Sequence, residues 1–302
     1  MIPNAPVPPF LIAWLARRRL RHLHAVGAVL GWVAYLASGV YRRRLRANAA
    51  RAGVAAADRR RSVAEAGKMV MELPRLWLRP HDQPVADPLA WHGAELIDAA
   101  LARGRGLMLL TAHLGSFEVA AQAYAERWGA QQPMTALYRP ARQPWLRQVM
   151  ERSRHRPGLL TAPASLAGVR QLMRALKGGQ VVGMLPDQVP PEGLGVWAPF
   201  FGEPAYTMTL AARLAAQTGC ELLLMTVQRR ARGGGYDIHV APLPEPLPPP
   251  ERGVGPEAEA AWTLAAATVL NRAMQWQVGR LPSQYLWGYH RFKQPRQPEP
   301  MA

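Results

Sequence analysis

The stretch GLMLLTAHLGSFEVAAQAYAERWG, residues 106–129, joins an apolar run to a histidine-containing turn and then to a helical pattern. The run at 106–112 is short and almost continuously apolar, which is typical of a strand buried on both faces of a sheet. Ser116 is a favoured residue at a helix N-terminus, and the helical pattern continues to Trp128. The stretch therefore predicts a strand, a tight turn and a helix in immediate succession.

Similar units recur along the chain. Further strands are predicted at 133–139, 158–164, 180–186, 221–229 and 236–242, and further helices at 143–155, 165–179, 207–219 and 257–278. Residues 81–93 are rich in proline and aspartate and are interpreted as a connector. Short apolar strands that alternate with helices predict an α/β fold with a mostly parallel central sheet flanked by helices. In such sheets, ligands bind beyond the carboxyl ends of the strands.

The N-terminal segment differs from this body in composition. Residues 25–40 are apolar and are bounded by arginine clusters, and a single amphipathic helix is predicted over 42–77. Sixteen apolar residues fall short of the roughly 20 that a straight spanning helix needs. We therefore expect residues 1–45 to be an anchor that either enters or lies on a membrane, with a buried helix of a soluble protein as the alternative, and residues 46–302 to be the catalytic domain.

Charge and cysteine content narrow the possible partners. The formal net charge is +17, and residues 1–61 carry twelve arginines against one acidic residue, Asp58. This positive excess indicates that the N-terminal region binds a polyanionic partner, either anionic lipid or nucleic acid. No nucleic-acid motif is present, so lipid is favoured. The single cysteine, Cys220, excludes an internal disulfide, and no Cys/His spacing predicts a metal site.

The histidine of the opening stretch carries the predicted chemistry. His113 stands where the strand should end, Gly115 allows a tight turn, and Glu118 lies in the first turn of the helix. A carboxylate that accepts one imidazole proton leaves the other nitrogen as a base. Backbone N–H groups of Gly115 and Ser116 are candidates to stabilise an oxyanion. The set suits acyl transfer from an activated carbonyl to a hydroxyl, while a structural histidine is the alternative.

Blocks downstream of this motif resemble the late, Kdo-dependent acyltransferases of lipid A biosynthesis, which belong to the lysophospholipid acyltransferase superfamily with its H-x4-D/E motif. The matching blocks are AHLGSFE at 112–118, LYRP at 137–140, RHRPG at 154–158, LPDQ at 185–188, GVWAPFFGEPAY at 195–206 and YHRFK at 289–293. The resemblance extends over nearly the whole chain. It departs from the family at Ser116 and Phe117, where the family usually has Asn and Trp.

The resemblance implies a glycerolipid-acyltransferase-like fold and a catalytic dyad of His113 and Glu118. It implies an acyl carrier protein thioester as donor, a lipid A precursor as acceptor, no cofactor, and a location on the cytoplasmic face of the inner membrane. Arg139 ends the second strand, and Arg154 matches a family arginine; both are expected to contact a phosphate or carboxylate. Asp187 and Gln188 follow another strand and are expected at the same edge, with Asp187 orienting an arginine or holding its turn.

Several alternatives stay open at this stage. The acceptor is either a lipid A precursor or another glycolipid, a phospholipid or an aminolipid, and the donor is either carrier protein or coenzyme A. A thioesterase that uses water as acceptor and a membrane-tethered basic binding protein are the competing functions. Acyl chain length, acylated position and oligomeric state are not determined by the sequence. Phe200, Phe201 and Trp197 are either the wall of an acyl pocket or ordinary core.

Overall fold

The computed structural model describes residues 9–80, 82–138, 156–250 and 255–297. Its α-helices are α1 (Pro9–Ala16), α2 (Leu20–Ala37), α3 (Gly39–Arg51), α4 (Ala56–Leu78), α5 (Ala94–Arg103), α6 (Phe117–Trp128), α7 (Leu166–Lys177), α8 (Leu210–Thr218) and α9 (Pro256–Arg280). Its strands are β1 (Leu89–His92), β2 (Leu107–Leu110), β3 (Met134–Tyr138), β4 (Leu159–Pro163), β5 (Val181–Met184), β6 (Gly195–Phe200), β7 (Glu203–Met208), β8 (Glu221–Arg229) and β9 (Tyr236–Pro242).

Seven of these strands form one sheet in the order β1-β9-β8-β2-β5-β3-β4. The neighbours pair in parallel except for β8 and β9, which are antiparallel. The predicted mostly parallel sheet is therefore confirmed. Strands β6 and β7 form a separate antiparallel hairpin.

Strand β2 lies at the centre of the sheet, and all four of its residues are buried. Because successive side chains of a strand point to opposite faces, β2 contributes to two cores. Met108 and Leu110 pack in the core that also holds α7, α8 and α9. Leu107 and Leu109 pack in the core that also holds α5 and α6. This double burial explains why the run has no polar alternation.

The N-terminal helices pack onto the body. Helix α2 lies against α4 with its backbone in close contact, since a Cβ on Gly67 would stand 1.9 Å from the carbonyl oxygen of Gly27. The opposite side of α2 is exposed and apolar. We define the apolar outer face as the exposed apolar side chains of α1, α2 and the start of α3: Phe10, Leu11, Trp14, Val26, Val29, Leu30, Trp32, Val33, Leu36 and Val40.

No single helix in the described part of the chain has the length and hydropathy to cross a membrane. Helices α2 and α3 meet these criteria only as a pair, and the chain bends by 102° between them. The boundary predicted after residue 45 falls inside α3, where Leu45 is buried in the core shared with β2.

Three local predictions differ from the structure. Residues 42–77 form two helices, because the chain turns through Gly53 at a positive φ of 64°. The predicted connector contains β1, which extends the sheet beside β9. The helix predicted from residue 207 begins at Leu210, since Thr207 and Met208 pair with β6. The helix predicted at 143–155 lies outside the described residues.

Candidate active site

The register of the sheet brings two predicted residues together. Strands β2 and β5 are parallel neighbours, with Leu110 paired to Met184. His113 and Asp187 each follow their strand by three residues. They therefore leave the sheet side by side at its carboxyl edge, where ligand sites are expected in α/β folds.

Asp187 holds His113 through two hydrogen bonds. The Nδ1 of His113 lies 2.6 Å from Oδ1 of Asp187, and its backbone N–H donates to Oδ2 at 2.9 Å. Because an ionised carboxylate is an acceptor, this contact places the imidazole proton on Nδ1. The lone pair of a neutral ring is then on Nε2. Asp187 thus occupies the place at Nδ1 of His113 where the sequence analysis expected Glu118.

The surroundings of Asp187 keep it ionised. Its side chain is 2% exposed, and the hydroxyl of Tyr285 donates to Oδ2 at 3.3 Å. Burial raises the pKa of Asp187, but the charge and hydrogen bonds of His113 lower it more, so the net pKa lies below the ordinary value. Tyr285 comes from the C-terminal region, and no sequence spacing linked it to this site.

The Nε2 side of His113 faces outward. The side-chain amide nitrogen of Gln188 lies 2.9 Å from Nε2, and Gln188 itself is exposed. The His113 side chain is 18% exposed. The ring of Phe117 packs against the imidazole at 4.8 Å between centroids. The exposed amide of Gln188 therefore covers Nε2 of His113 in this structure.

Glu118 lies in the first turn of α6, as predicted. Its Oε2 accepts a hydrogen bond from the indole nitrogen of Trp77 at 3.3 Å. The carboxylate in contact with Nδ1 of His113 is that of Asp187, in the turn that follows β5. The catalytic role of Glu118 stays a prediction.

The turn between β2 and α6 is fully built into the fold. Gly115 has a φ of +60°, and a Cβ there would stand 1.9 Å from the carbonyl oxygen of Val227. Its N–H donates to the carbonyl oxygen of Gln284 at 3.0 Å, and the N–H of Ser116 donates to that of Val227 at 2.9 Å. Since both groups already have protein acceptors, the predicted oxyanion role of Gly115 and Ser116 does not fit this arrangement.

The other predicted residues fall in different places. Arg139 and Arg154 lie outside the described residues. Phe200 is buried among core side chains, which favours its interpretation as core, whereas Trp197 is 42% exposed. No group of three or more His, Cys, Asp or Glu side chains within the described ranges has the arrangement of a metal site.

Comparison with known proteins gives consistent matches over most of the chain. The sequence model of the bacterial lipid A biosynthesis acyltransferases matches residues 10–294. The lipid A biosynthesis palmitoleoyltransferase of Escherichia coli (strain K12) is 29% identical over 243 residues, which are 79% of this chain and 73% of that protein. The lipid A biosynthesis lauroyltransferase of the same organism is 30% identical over 231 residues, 75% of this chain and 69% of that protein. The lipid A biosynthesis acyltransferase of Shigella flexneri is 29% identical over 243 residues.

Proposed function

We propose a donor and an acceptor for this chain, which belongs to the bacterial lipid A biosynthesis acyltransferase family and is an acyltransferase. It transfers a fatty acyl chain from a carrier-protein thioester to a hydroxyl of a lipid A precursor. The observation that carries the mechanism is the contact between His113 Nδ1 and Asp187, which leaves Nε2 of His113 as an outward-facing base. The names of the relatives support the lipid A precursor as acceptor.

In the proposed reaction, Nε2 of His113 takes the proton of the acceptor hydroxyl. The alkoxide oxygen forms a bond to the thioester carbonyl carbon and gives an anionic tetrahedral intermediate. The carbon–sulfur bond then breaks, and the leaving thiolate takes the proton back from the imidazolium. His113 is therefore regenerated, and no covalent enzyme intermediate or cofactor is needed.

Asp187 is the positioning residue in this scheme. Its ionised carboxylate fixes the tautomer of His113 and stabilises the imidazolium that forms during the reaction. Glu118 is proposed as the acidic residue of the H-x4-E motif. It adds a negative charge at the start of α6, five residues after His113, and this charge favours the imidazolium form of His113. The acceptor hydroxyl displaces the Gln188 amide from Nε2 of His113 when it binds. Arg139 and Arg154, outside the described residues, are proposed to contact the phosphates of the acceptor.

Membrane association is the second part of the proposal. Val26, Val29, Leu30 and Val33 follow one stripe of α2 and are 46–62% exposed. Arginines flank this stripe at 17–19 and 42–44. An apolar face beside arginines suits an anionic lipid bilayer. We propose that the apolar outer face enters the cytoplasmic leaflet of the inner membrane, and that the basic surface also receives the acidic carrier protein.

The direct test is an assay with purified full-length protein, an acyl carrier protein thioester and a lipid A precursor. Mass spectrometry should detect a lipid heavier by one acyl chain, and His113→Ala should lower the rate by about 10²- to 10⁴-fold. The control is His22→Ala, because His22 is an exposed histidine of α2. Release of free fatty acid without acylated lipid would instead support the thioesterase function. Unchanged transfer by folded His113→Ala would exclude the proposed mechanism.

A further inference from the structure

A buried carboxylate on α4 lies behind the turn that carries His113. Glu72 is 1% exposed, and in sequence it is far from the H-x4-E motif at 113–118 and from the LPDQ block at 185–188. Its Oε1 accepts hydrogen bonds from Ser116 Oγ at 2.6 Å and from Arg229 Nη1 at 3.0 Å. Its Oε2 accepts from Tyr236 OH at 2.9 Å and lies 3.1 Å from His24 Nε2. One carboxylate therefore links α4 to four other segments: α2, the turn after β2, β8 and β9.

The two oxygens of Glu72 have different partners. Oε1 faces the turn after β2, because Ser116 belongs to that turn and Arg229 also donates to the carbonyl oxygen of Gly115 at 2.7 Å. Oε2 faces α2, through His24. The hydrogen bonds of Glu72 thus connect the turn of the proposed base to the helix that bears the apolar outer face.

The charges around Glu72 favour its ionised form. Burial raises the pKa of Glu72, but the Arg229 guanidinium and the hydrogen bonds of His24 and Ser116 lower it more, so the net pKa is below its ordinary value. Arg229 is also paired with Glu65 at 3.0 Å. A buried, ionised carboxylate with donors on both oxygens favours one arrangement of its neighbours, because a donor lost from it is not replaced by water.

We infer that Glu72 is a positioning residue for acyl transfer, which holds the His113 turn at a fixed place relative to α2. The inference rests on the proposed function, since it concerns the placement of its base. The acceptor of that reaction is held in a membrane, so Nε2 of His113 must stand at a set height above the surface that α2 contacts. Ser116 secures the turn to Glu72, and His24 secures α2 to the same carboxylate.

The Ser116 half is tested with Ser116→Ala, which removes one hydroxyl and adds no volume. The matched control is Ser62→Ala, because Ser62 is a buried serine on the same helix as Glu72 and donates to the carbonyl oxygen of Arg59. We expect Ser116→Ala to lower kcat by about 10- to 100-fold with KM for the thioester unchanged, as expected from a displaced catalytic group. Ser62→Ala should leave kcat unchanged.

Hydrogen–deuterium exchange supplies a readout that does not depend on activity. Peptides that cover residues 113–118 should exchange faster in Ser116→Ala than in wild type, whereas peptides from α9 should exchange equally. Glu72→Gln should show the same local change, provided its thermal unfolding is cooperative. If Ser116→Ala matches Ser62→Ala in both kcat and exchange, Glu72 is a packing residue and the inference fails.

The His24 half is tested with His24→Leu against His22→Leu, an exposed histidine of the same helix. We expect His24→Leu to lower transfer to an acceptor embedded in anionic phospholipid vesicles by about tenfold, while hydrolysis of the thioester by water stays within about twofold. Equal behaviour of the two variants in vesicles would overturn the link to α2. If wild type acylates no lipid, the proposed function fails, while the exchange experiment still tests the position of the turn.

Discussion

The Nδ1 of His113 lies 2.6 Å from a carboxylate oxygen of Asp187, although 74 positions separate the two residues in the chain. This contact assigns the orienting partner of the proposed base to a residue outside the H-x4-E motif. Because β5 pairs in parallel with β2, it brings Asp187 of the LPDQ block at 185–188 to the end of β2.

The relative effects of two carboxylate substitutions follow from this contact. Asp187→Asn should lower kcat more than Glu118→Gln, because an amide at position 187 no longer fixes the tautomer or stabilises the imidazolium. We expect a loss of about 10²-fold or more for Asp187→Asn. Steady-state rates of acyl transfer at saturating thioester measure both effects, with thermal unfolding as the control for folding. A larger loss of kcat for Glu118→Gln would instead identify Glu118 as the residue that orients His113.

The stability of the protein should depend on pH through Asp187. Its pKa in the folded protein lies below the ordinary value of 3.8, so the ionised carboxylate stabilises the fold above that value. This contribution should decline as the pH falls through the lower folded pKa. Urea unfolding of wild type and Asp187→Asn between pH 7 and pH 3 measures it. The difference in unfolding free energy should be largest near neutral pH and shrink below about pH 4. A constant difference would contradict the assignment.

The apolar outer face should control membrane binding. Leu36→Glu places a charge on this face, at a side chain that is 67% exposed, and should lower partitioning to anionic vesicles by about tenfold or more. The matched control is Leu166→Glu on α7, which is 66% exposed and lies outside that face. Vesicle flotation measures both variants. Equal binding by Leu36→Glu and wild type would exclude this face as the lipid contact.

The contact between α2 and α4 should tolerate no side chain at Gly67. A Cβ there would stand 1.9 Å from the carbonyl oxygen of Gly27, so Gly67→Ala should lower the unfolding free energy by about 1–3 kcal/mol. Gly279→Ala in α9 is the control, because a Cβ at that position meets no atom within 4 Å. Chemical denaturation compares the two. A neutral Gly67→Ala would show that α2 shifts freely on α4.

Much of the fold followed from local patterns. The continuous burial of 107–110 and the alternation with helices predicted a mostly parallel sheet, and β2 lies at its centre. Strand β1 was missed because its four residues show no alternating pattern and follow a segment that contains prolines. Its pairing with β9 is a long-range contact. The bend between α2 and α3 was also missed, since the apolar run continues across it to Val40.

The sequence by itself determined the chemical groups of this protein and their placement at strand ends, because periodicity and turn residues are local properties of the chain. His113, Asp187 and Gln188 were expected just beyond strand ends and Glu118 in the first turn of the following helix, while their roles in the reaction stay predictions. Which carboxylate meets which nitrogen was decided by tertiary structure alone, because the register of β2 on β5 sets the distance between His113 and Asp187. The same holds for Glu72, whose partners converge from four distant segments and leave no mark on sequence spacing.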